Sequence, residues 1–139
     1  MIRIFLSVLL GLSVATGCLA QADPQRHALT VPLLEKFNAA NKELEKSVKK
    51  SDDDEKDDQT VEELVKSLDA TPGVKPVLAR HGMTTRTYAL TALAIFHAGV
   101  YLMMEPSMDR KKGAALLASY PKETQANIDL LRKNPKLLK

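Results

Sequence analysis

Apolar residues recur at helical spacing along the chain from about position 30 onwards. The first run places its apolar side chains three or four residues apart, at Leu33, Phe37, Ala40, Leu44 and Val48. Such spacing puts them on one face of a helix, with most of the neighbouring charged residues on the other. Because Pro32 suits a first helical turn, the pattern predicts an amphipathic helix over residues 31–50.

A second helix is predicted over residues 61–70. Thr60-Val61-Glu62-Glu63 has the form of a capping box, in which the threonine hydroxyl and the glutamate carboxylate each accept a hydrogen bond from a backbone N–H of the other residue. Thr71-Pro72-Gly73 then ends the helix. We expect a short third helix from Val74 to His81, with Gly82 directly after its end.

The longest apolar segment predicts a central helix. Thr84 or Thr85 can cap this helix, which continues through Met104 and stops before Pro106. The 16 residues from Ala89 to Met104 are fewer than the roughly 20 that a membrane span requires, and some of them are polar. We therefore expect a central helix that is packed on several sides.

Two more helices are predicted near the C-terminus. Asp109 can cap a short helix through Leu117, and Pro121 opens a last helix that ends at Asn134-Pro135, after which the tail at 137–138 can pack back. No segment has the alternating pattern of a strand. The predicted fold is all-α, a small bundle of four to six helices.

The first 22 residues have the organisation of a secretory signal peptide. Arg3 is positively charged, Ile4 to Ala15 form an apolar run, and Ala20-Gln21-Ala22 matches the A-x-A cleavage pattern. We expect residues 1–22 to be removed on export, with cleavage after Ala20 as an alternative. Residues 23–139 then form a helical domain in the periplasm or outside the cell.

Cys18 offers a different processing site. Ala15-Thr16-Gly17-Cys18 resembles a bacterial lipobox, in which the cysteine is acylated and becomes the first mature residue. Cleavage before Cys18 would make the protein a membrane-anchored lipoprotein. Cleavage after Ala22 would leave 117 residues without any cysteine, so the mature fold would depend on a packed core rather than on disulfides.

Charge is distributed unevenly along the expected mature chain. Residues 23–70 hold 13 acidic and 8 basic side chains, whereas residues 71–139 hold 4 acidic and 11 basic ones. Six of the eight residues from 51 to 58 are acidic, which predicts a solvated linker. Calcium binding by an EF-hand would need glycine at the sixth position of the loop, and the spacing here does not supply it.

The acidic and basic halves suit recognition of a partner, while the scarcity of aromatic residues disfavours nucleic acid.

Candidate ligand-binding residues lie on the predicted central helix. Thr91, His97, Tyr101 and Glu105 fall within one arc of a helical wheel, and the last three are successive i+4 neighbours. One interpretation is the polar lining of a ligand pocket, with His97 as a proton donor or metal ligand. The other is an arc that faces a neighbouring helix or solvent, with its polar groups satisfied locally.

A metal site is the alternative chemistry. His97 with Met103, Met104 and Met108 could bind Cu(I), which prefers soft ligands, or could supply axial ligands to haem. Methionine is also an ordinary filler of irregular cores. No CxxCH haem attachment, phosphate-binding loop or nucleophile elbow occurs in the sequence. We therefore expect no catalytic residue and no cofactor.

Gly82-Met83-Thr84 opens an alanine-rich helix through Ala94, and the last helix contains Asn127-Ile128 and Leu130-Leu131. These two segments resemble those of small exported bacterial proteins that are all-helical and of uncharacterised function. The likeness spans about residues 30–138 and implies no activity and no site. The sequence as a whole favours a non-enzymatic envelope protein that binds a protein or a small ligand, with a metal or haem carrier as the alternative.

Overall fold

A computed structural model describes residues 22–47 and 60–138, and the regular secondary structure of this part of the chain is entirely helical. Its six α-helices are α1 (Val31–Ser47), α2 (Val61–Ala70), α3 (Val74–Arg80), α4 (Thr85–Met104), α5 (Arg110–Ser119) and α6 (Lys122–Lys133). Short 3-10 turns lie at Pro24–Arg26, Glu105–Ser107 and Pro135–Leu138. The prediction of a small all-α bundle is confirmed. The predicted end of the first helix at residue 50, the acidic linker and residues 1–21 of the predicted signal peptide lie outside the described residues.

Local signals at the helix ends explain why the helices begin where they do. Thr60 and Glu63 form the predicted capping box, with N–H to oxygen distances of 3.0 and 3.3 Å. Thr84 caps α4 by accepting a hydrogen bond from the Thr87 N–H at 3.0 Å. Asp109 caps α5 in the same way through the Lys111 N–H. Each cap satisfies a backbone donor that has no partner within the helix.

The core has two parts that meet along α1 and α4. The larger part joins α4 to α6 and contains Leu29, Leu34, Ala94, Ala98, Tyr101, Ile128 and Leu131. The smaller part joins α1 to α3 and contains Phe37, Ala40, Val74, Leu78 and Met83. Leu33 and Ile95 pack against both. Burial of these side chains supplies the main driving force for folding.

The residues just before α1 are held tightly by α6. In this N-terminal segment (residues 23–30), the Leu29 N–H donates to Asn127 Oδ1 at 2.8 Å, and Asn127 Nδ2 donates to the His27 carbonyl at 2.8 Å. The Thr124 hydroxyl donates to the Gln25 carbonyl at 2.7 Å. One buried amide therefore satisfies two backbone groups of a segment that has no regular partner of its own.

The C-terminal tail returns to the bundle, as its sequence predicted. Asn38 Nδ2 of α1 donates to the Leu137 carbonyl at 3.0 Å, and the Leu137 side chain packs against the larger part of the core. Both ends of the described chain are thus attached to the same helical body.

The role of Asn127 can be tested by Asn127→Ala. This change leaves the Leu29 N–H and the His27 carbonyl buried without a partner, and such groups destabilise a fold by about 1–3 kcal/mol each. We expect the free energy of unfolding, measured by urea denaturation, to fall by about 2–4 kcal/mol. The control is Gln125→Ala, since the Gln125 amide bonds only the nearby Tyr120 carbonyl. Equal losses in the two variants would contradict the role assigned to Asn127.

Candidate functional site

Helix α4 is covered on its inner side, and large apolar residues in its second half are exposed on the other side. Its buried residues are Ala89, Thr91, Ala94, Ala98 and Tyr101. On the exposed side, the exposed fractions are 49% for Phe96, 37% for Val100, 81% for Met103 and 49% for Met104. We call these last four residues the α4 stripe. The polar arc predicted from the sequence therefore lies largely on the inner side of α4, and the large apolar residues beyond it face outwards.

Thr91 is buried within the fold rather than facing a ligand pocket. Its hydroxyl donates to the Thr87 carbonyl at 2.7 Å and lies 3.2 Å from Nε2 of His27. Because the hydroxyl hydrogen is used by the carbonyl, His27 must donate from Nε2, which fixes its tautomer. Burial lowers the pKa of His27 below its usual 6.5. This pair joins the N-terminal segment to α4.

Tyr101 and Glu105 are also engaged by neighbouring elements. The Tyr101 hydroxyl donates to the Gly113 carbonyl at 3.1 Å, and its ring meets Tyr120 edge to face. Burial raises the pKa of Tyr101, and the negative charge of Glu105 raises it further. Glu105 itself accepts a hydrogen bond from Arg132 of α6 at 2.6 Å. These two side chains connect α4 to α5 and α6.

His97 lies apart from the other three predicted residues. With Leu93 it lines an open groove of about 520 Å³, where the N-terminal segment and the start of α2 contribute Ala22, Asp23, Pro24, Thr60, Val61 and Glu62. The His97 ring has an edge contact with Phe96 and no hydrogen bond within the described residues. The structure thus brings Tyr101 and Glu105 together and places Thr91 and His97 in separate surroundings.

The four residues named as metal ligands lie in different surroundings. Met103 and Met104 are exposed, while Met108 packs against the larger part of the core near Gly113. Along α4, His97 and Met104 are seven residues apart, which is a rise of about 10 Å. Among the described residues, histidine, cysteine and carboxylate side chains form no group of three that could hold a metal.

A charged cluster connects α1 to the end of α3. Glu43 accepts hydrogen bonds from Arg80 and from Nε2 of His81, the latter at 2.7 Å. The Arg80 hydrogen bond, followed by that of His81, lowers the pKa of Glu43. Nearby, Tyr88 donates to Asn41 and stacks on Phe37. These contacts fix how the helices pack, and every partner in them is a residue of the fold itself.

The α4 stripe is the feature of this helix that the fold does not account for. The segment Thr85–Ser107 is long and apolar enough to cross a membrane by length and composition alone, yet only 28% of its most apolar 18-residue window is buried. Within the described residues, α4 packs against α1, α2, α3, α6 and the first two 3-10 turns, and the stripe still faces outwards. In the sequence, Met103 and Met104 are candidate metal ligands, whereas Phe96 and Val100 belong to no predicted site.

Gly99 adds to this picture because it lies inside α4. Glycine in a helix interior is less favourable than alanine by about 1 kcal/mol. A Cβ built on Gly99 would meet no heavy atom within 4 Å, and its backbone does not have a positive φ. Among the described residues, neither a steric clash with a Cβ nor the backbone conformation therefore requires glycine at this position.

No protein family, curated protein or solved structure matches the chain. The geometry of the described residues is therefore what the functional argument rests on.

The His27–Thr91 contact predicts a pH dependence of stability. Because burial lowers the pKa of His27 from 6.5, the unfolded chain binds this proton more readily, and stability falls as the pH falls through 6.5. We expect the urea midpoint to be lower at pH 5.5 than at pH 7.5. In His27→Gln, the difference between the two midpoints should shrink. An unchanged difference would assign the acid sensitivity to other groups.

Proposed function

We propose that this chain is an exported, non-enzymatic helical protein of the bacterial envelope that binds a protein partner through the α4 stripe. The observation that carries the proposal is the exposure of the stripe: Phe96, Val100, Met103 and Met104 lie in consecutive turns of one helix and point away from the core. Contiguous apolar surface of this kind is typical of interaction sites. Phenylalanine and methionine are also enriched at the centres of protein interfaces.

The surroundings of α4 support a rigid binding surface. Tyr101, Thr91 and Glu105 attach the inner side of α4 to α5, the N-terminal segment and α6. Every buried polar side-chain atom in the described part of the chain has a hydrogen-bond partner. A surface that is ordered before binding loses less conformational entropy when the partner arrives. The polar arc thus supports binding indirectly, by holding the stripe in place.

A small ligand in the His97 groove is a weaker form of the same proposal. The groove volume of about 520 Å³ is within the usual range for ligand sites, about 300–1,000 Å³. However, the two carboxylates that line it, Asp23 and Glu62, are paired with Arg26 and Arg86. The carrier of copper or haem is also less favoured, since Met108 packs in the core and His97 faces the groove. Within the part of the chain that the structure describes, the stripe remains exposed.

Site-specific photo-crosslinking tests the stripe as a protein-binding surface. We expect a photoreactive residue at position 103 to form a discrete protein adduct in cells, because Met103 is the most exposed residue of the stripe, at 81%. The matched control is position 138, where Leu138 is 43% exposed outside the stripe. Val100→Ser should abolish the adduct at position 103, and Leu138→Ser should leave it intact.

Stability measurements separate binding from folding in this test. Val100→Ser replaces a side chain that already faces solvent, so we expect a change in the free energy of unfolding within about 1 kcal/mol. Equal yields of adduct at positions 103 and 138, or an adduct at 103 that persists in Val100→Ser, would count against the proposed function.

A further inference from the structure

Four residues of α4 alternate in size at heptad spacing. Ala92, Phe96, Gly99 and Met103 are four, three and four positions apart, so at about 100° per residue they fall within an arc of about 60°. Small and large residues alternate along this row, which we call the seam. Phe96 and Met103 are its exposed large members, while Ala92 lies partly against the smaller part of the core.

Gly99 gives the seam a site for another helix to approach. Among the described residues, nothing lies within 4 Å of a Cβ built at this position, so alanine would fit there, and alanine favours the helix more than glycine does. A glycine beside exposed apolar residues instead permits close approach of a second backbone or of a large side chain. Phe96, one turn away, is a side chain of the size that such a gap accepts.

The order of sizes is self-complementary in one orientation only. When two copies of α4 lie antiparallel about a two-fold axis with Phe96 opposite Gly99, the same register places Ala92 opposite Met103. Each large residue then meets a small one. In a parallel pair, Phe96 would meet Phe96 and Gly99 would meet Gly99, which leaves clashes beside gaps.

We infer that the α4 stripe binds a second copy of this chain, with the two α4 helices antiparallel and each Phe96 packed over Gly99 of the other copy. The inference rests on the proposed function, because it names the partner of the same surface. Each member of such a pair contributes the same residues, and the surface needs no second protein to complete it.

Charge is compatible with this pairing. From Thr87 to Met104 the sequence of α4 contains no Asp, Glu, Lys or Arg, so two seams meet without repulsion between like charges.

The size of the surface sets the expected affinity. A standard stable interface uses about 20–30 residues on each side, and the stripe and seam together supply far fewer. We therefore expect a reversible dimer whose population depends on protein concentration, with monomer at the lowest concentrations.

Sedimentation velocity on the purified protein tests the pairing over roughly 1 µM to 1 mM, the range in which small interfaces dissociate. Phe96→Gly removes the large residue and Gly99→Phe fills the gap, so we expect each to weaken dimerisation by about tenfold or more. The double variant restores large opposite small, and we expect its dissociation constant within about threefold of the original. Met103→Ser should also weaken the dimer. Because Met103 is 81% exposed, this change tests the seam with little effect on the fold.

Gly99→Ala separates the fold from the dimer. Because the Cβ has open space in one chain, we expect a higher urea midpoint at concentrations where the protein is monomeric. The same methyl group obstructs Phe96 of the second copy, so dimerisation weakens. A purely structural role for Gly99 would not move the two measurements in opposite directions.

Cysteine pairing tests the orientation in a Cys18→Ser background. Under mild oxidation, a mixture of Phe96→Cys and Gly99→Cys proteins should give the mixed disulfide-linked dimer in excess over either protein alone. Predominant 96–96 and 99–99 products would overturn the antiparallel register.

The outcomes also separate this inference from the proposed function. A wild-type protein that stays monomeric at all concentrations, with adducts at position 103 only to a different protein, overturns the second-copy inference and leaves the proposed function standing. A monomer that binds anionic phospholipid vesicles and loses this binding in Phe96→Gly, with no protein adduct at position 103, overturns both.

Discussion

The architecture depends on how much of α4 the rest of the chain can cover. This helix has 20 residues, which corresponds to a length of about 30 Å, and it carries apolar side chains around most of its circumference. The helices described around it are shorter than α4. Helix α6 and the N-terminal segment pack on the inner side, and α2 packs beside it. The part that these elements do not reach becomes the α4 stripe.

Because one side of α4 is covered, the polar residues on that side need hydrogen-bond partners within the fold. Thr91 and Tyr101 lie in the buried side, where an unpaired hydroxyl is unfavourable. Thr91 is therefore paired with His27, and Tyr101 with the Gly113 carbonyl. Three of the four residues that resembled the lining of a ligand pocket in the sequence, Thr91, Tyr101 and Glu105, thus orient α4 within the bundle. The orientation in turn decides which apolar side chains face outwards.

Helix boundaries were largely predictable because their causes are local. Each capping or helix-ending residue affects only the few residues beside it, as at Thr60 with Glu63, Thr84, Asp109 and Gly82. The pattern of caps and breaks therefore predicts the helices close to where they are found. The exposed side of α4 was not predictable from the same information, since large apolar residues occur on both sides of the helical wheel.

The partners of the predicted site residues were equally inaccessible to sequence reasoning. The contacts His27–Thr91 and Leu29–Asn127 join residues that are 64 and 98 positions apart, and no local periodicity encodes such pairs. Gly99 was the one local signal of the stripe: a glycine within a strongly helical apolar run, at heptad spacing from Phe96 and Met103. Its meaning depends on knowing that no described residue occupies the space beside it.

The attachment of the N-terminal segment to Asn127 has a consequence for the order of folding. The carbonyls of Gln25 and His27 and the N–H of Leu29 find their hydrogen-bond partners in α6, about 100 positions later. A chain that emerges N-terminus first can form α1 to α4 through local contacts. These backbone groups of the N-terminal segment, however, gain their hydrogen-bond partners only once α6 has formed. Completion of this fold is therefore delayed until the C-terminal part has arrived, so a chain threaded through a membrane pore would finish folding only after almost all of it had crossed.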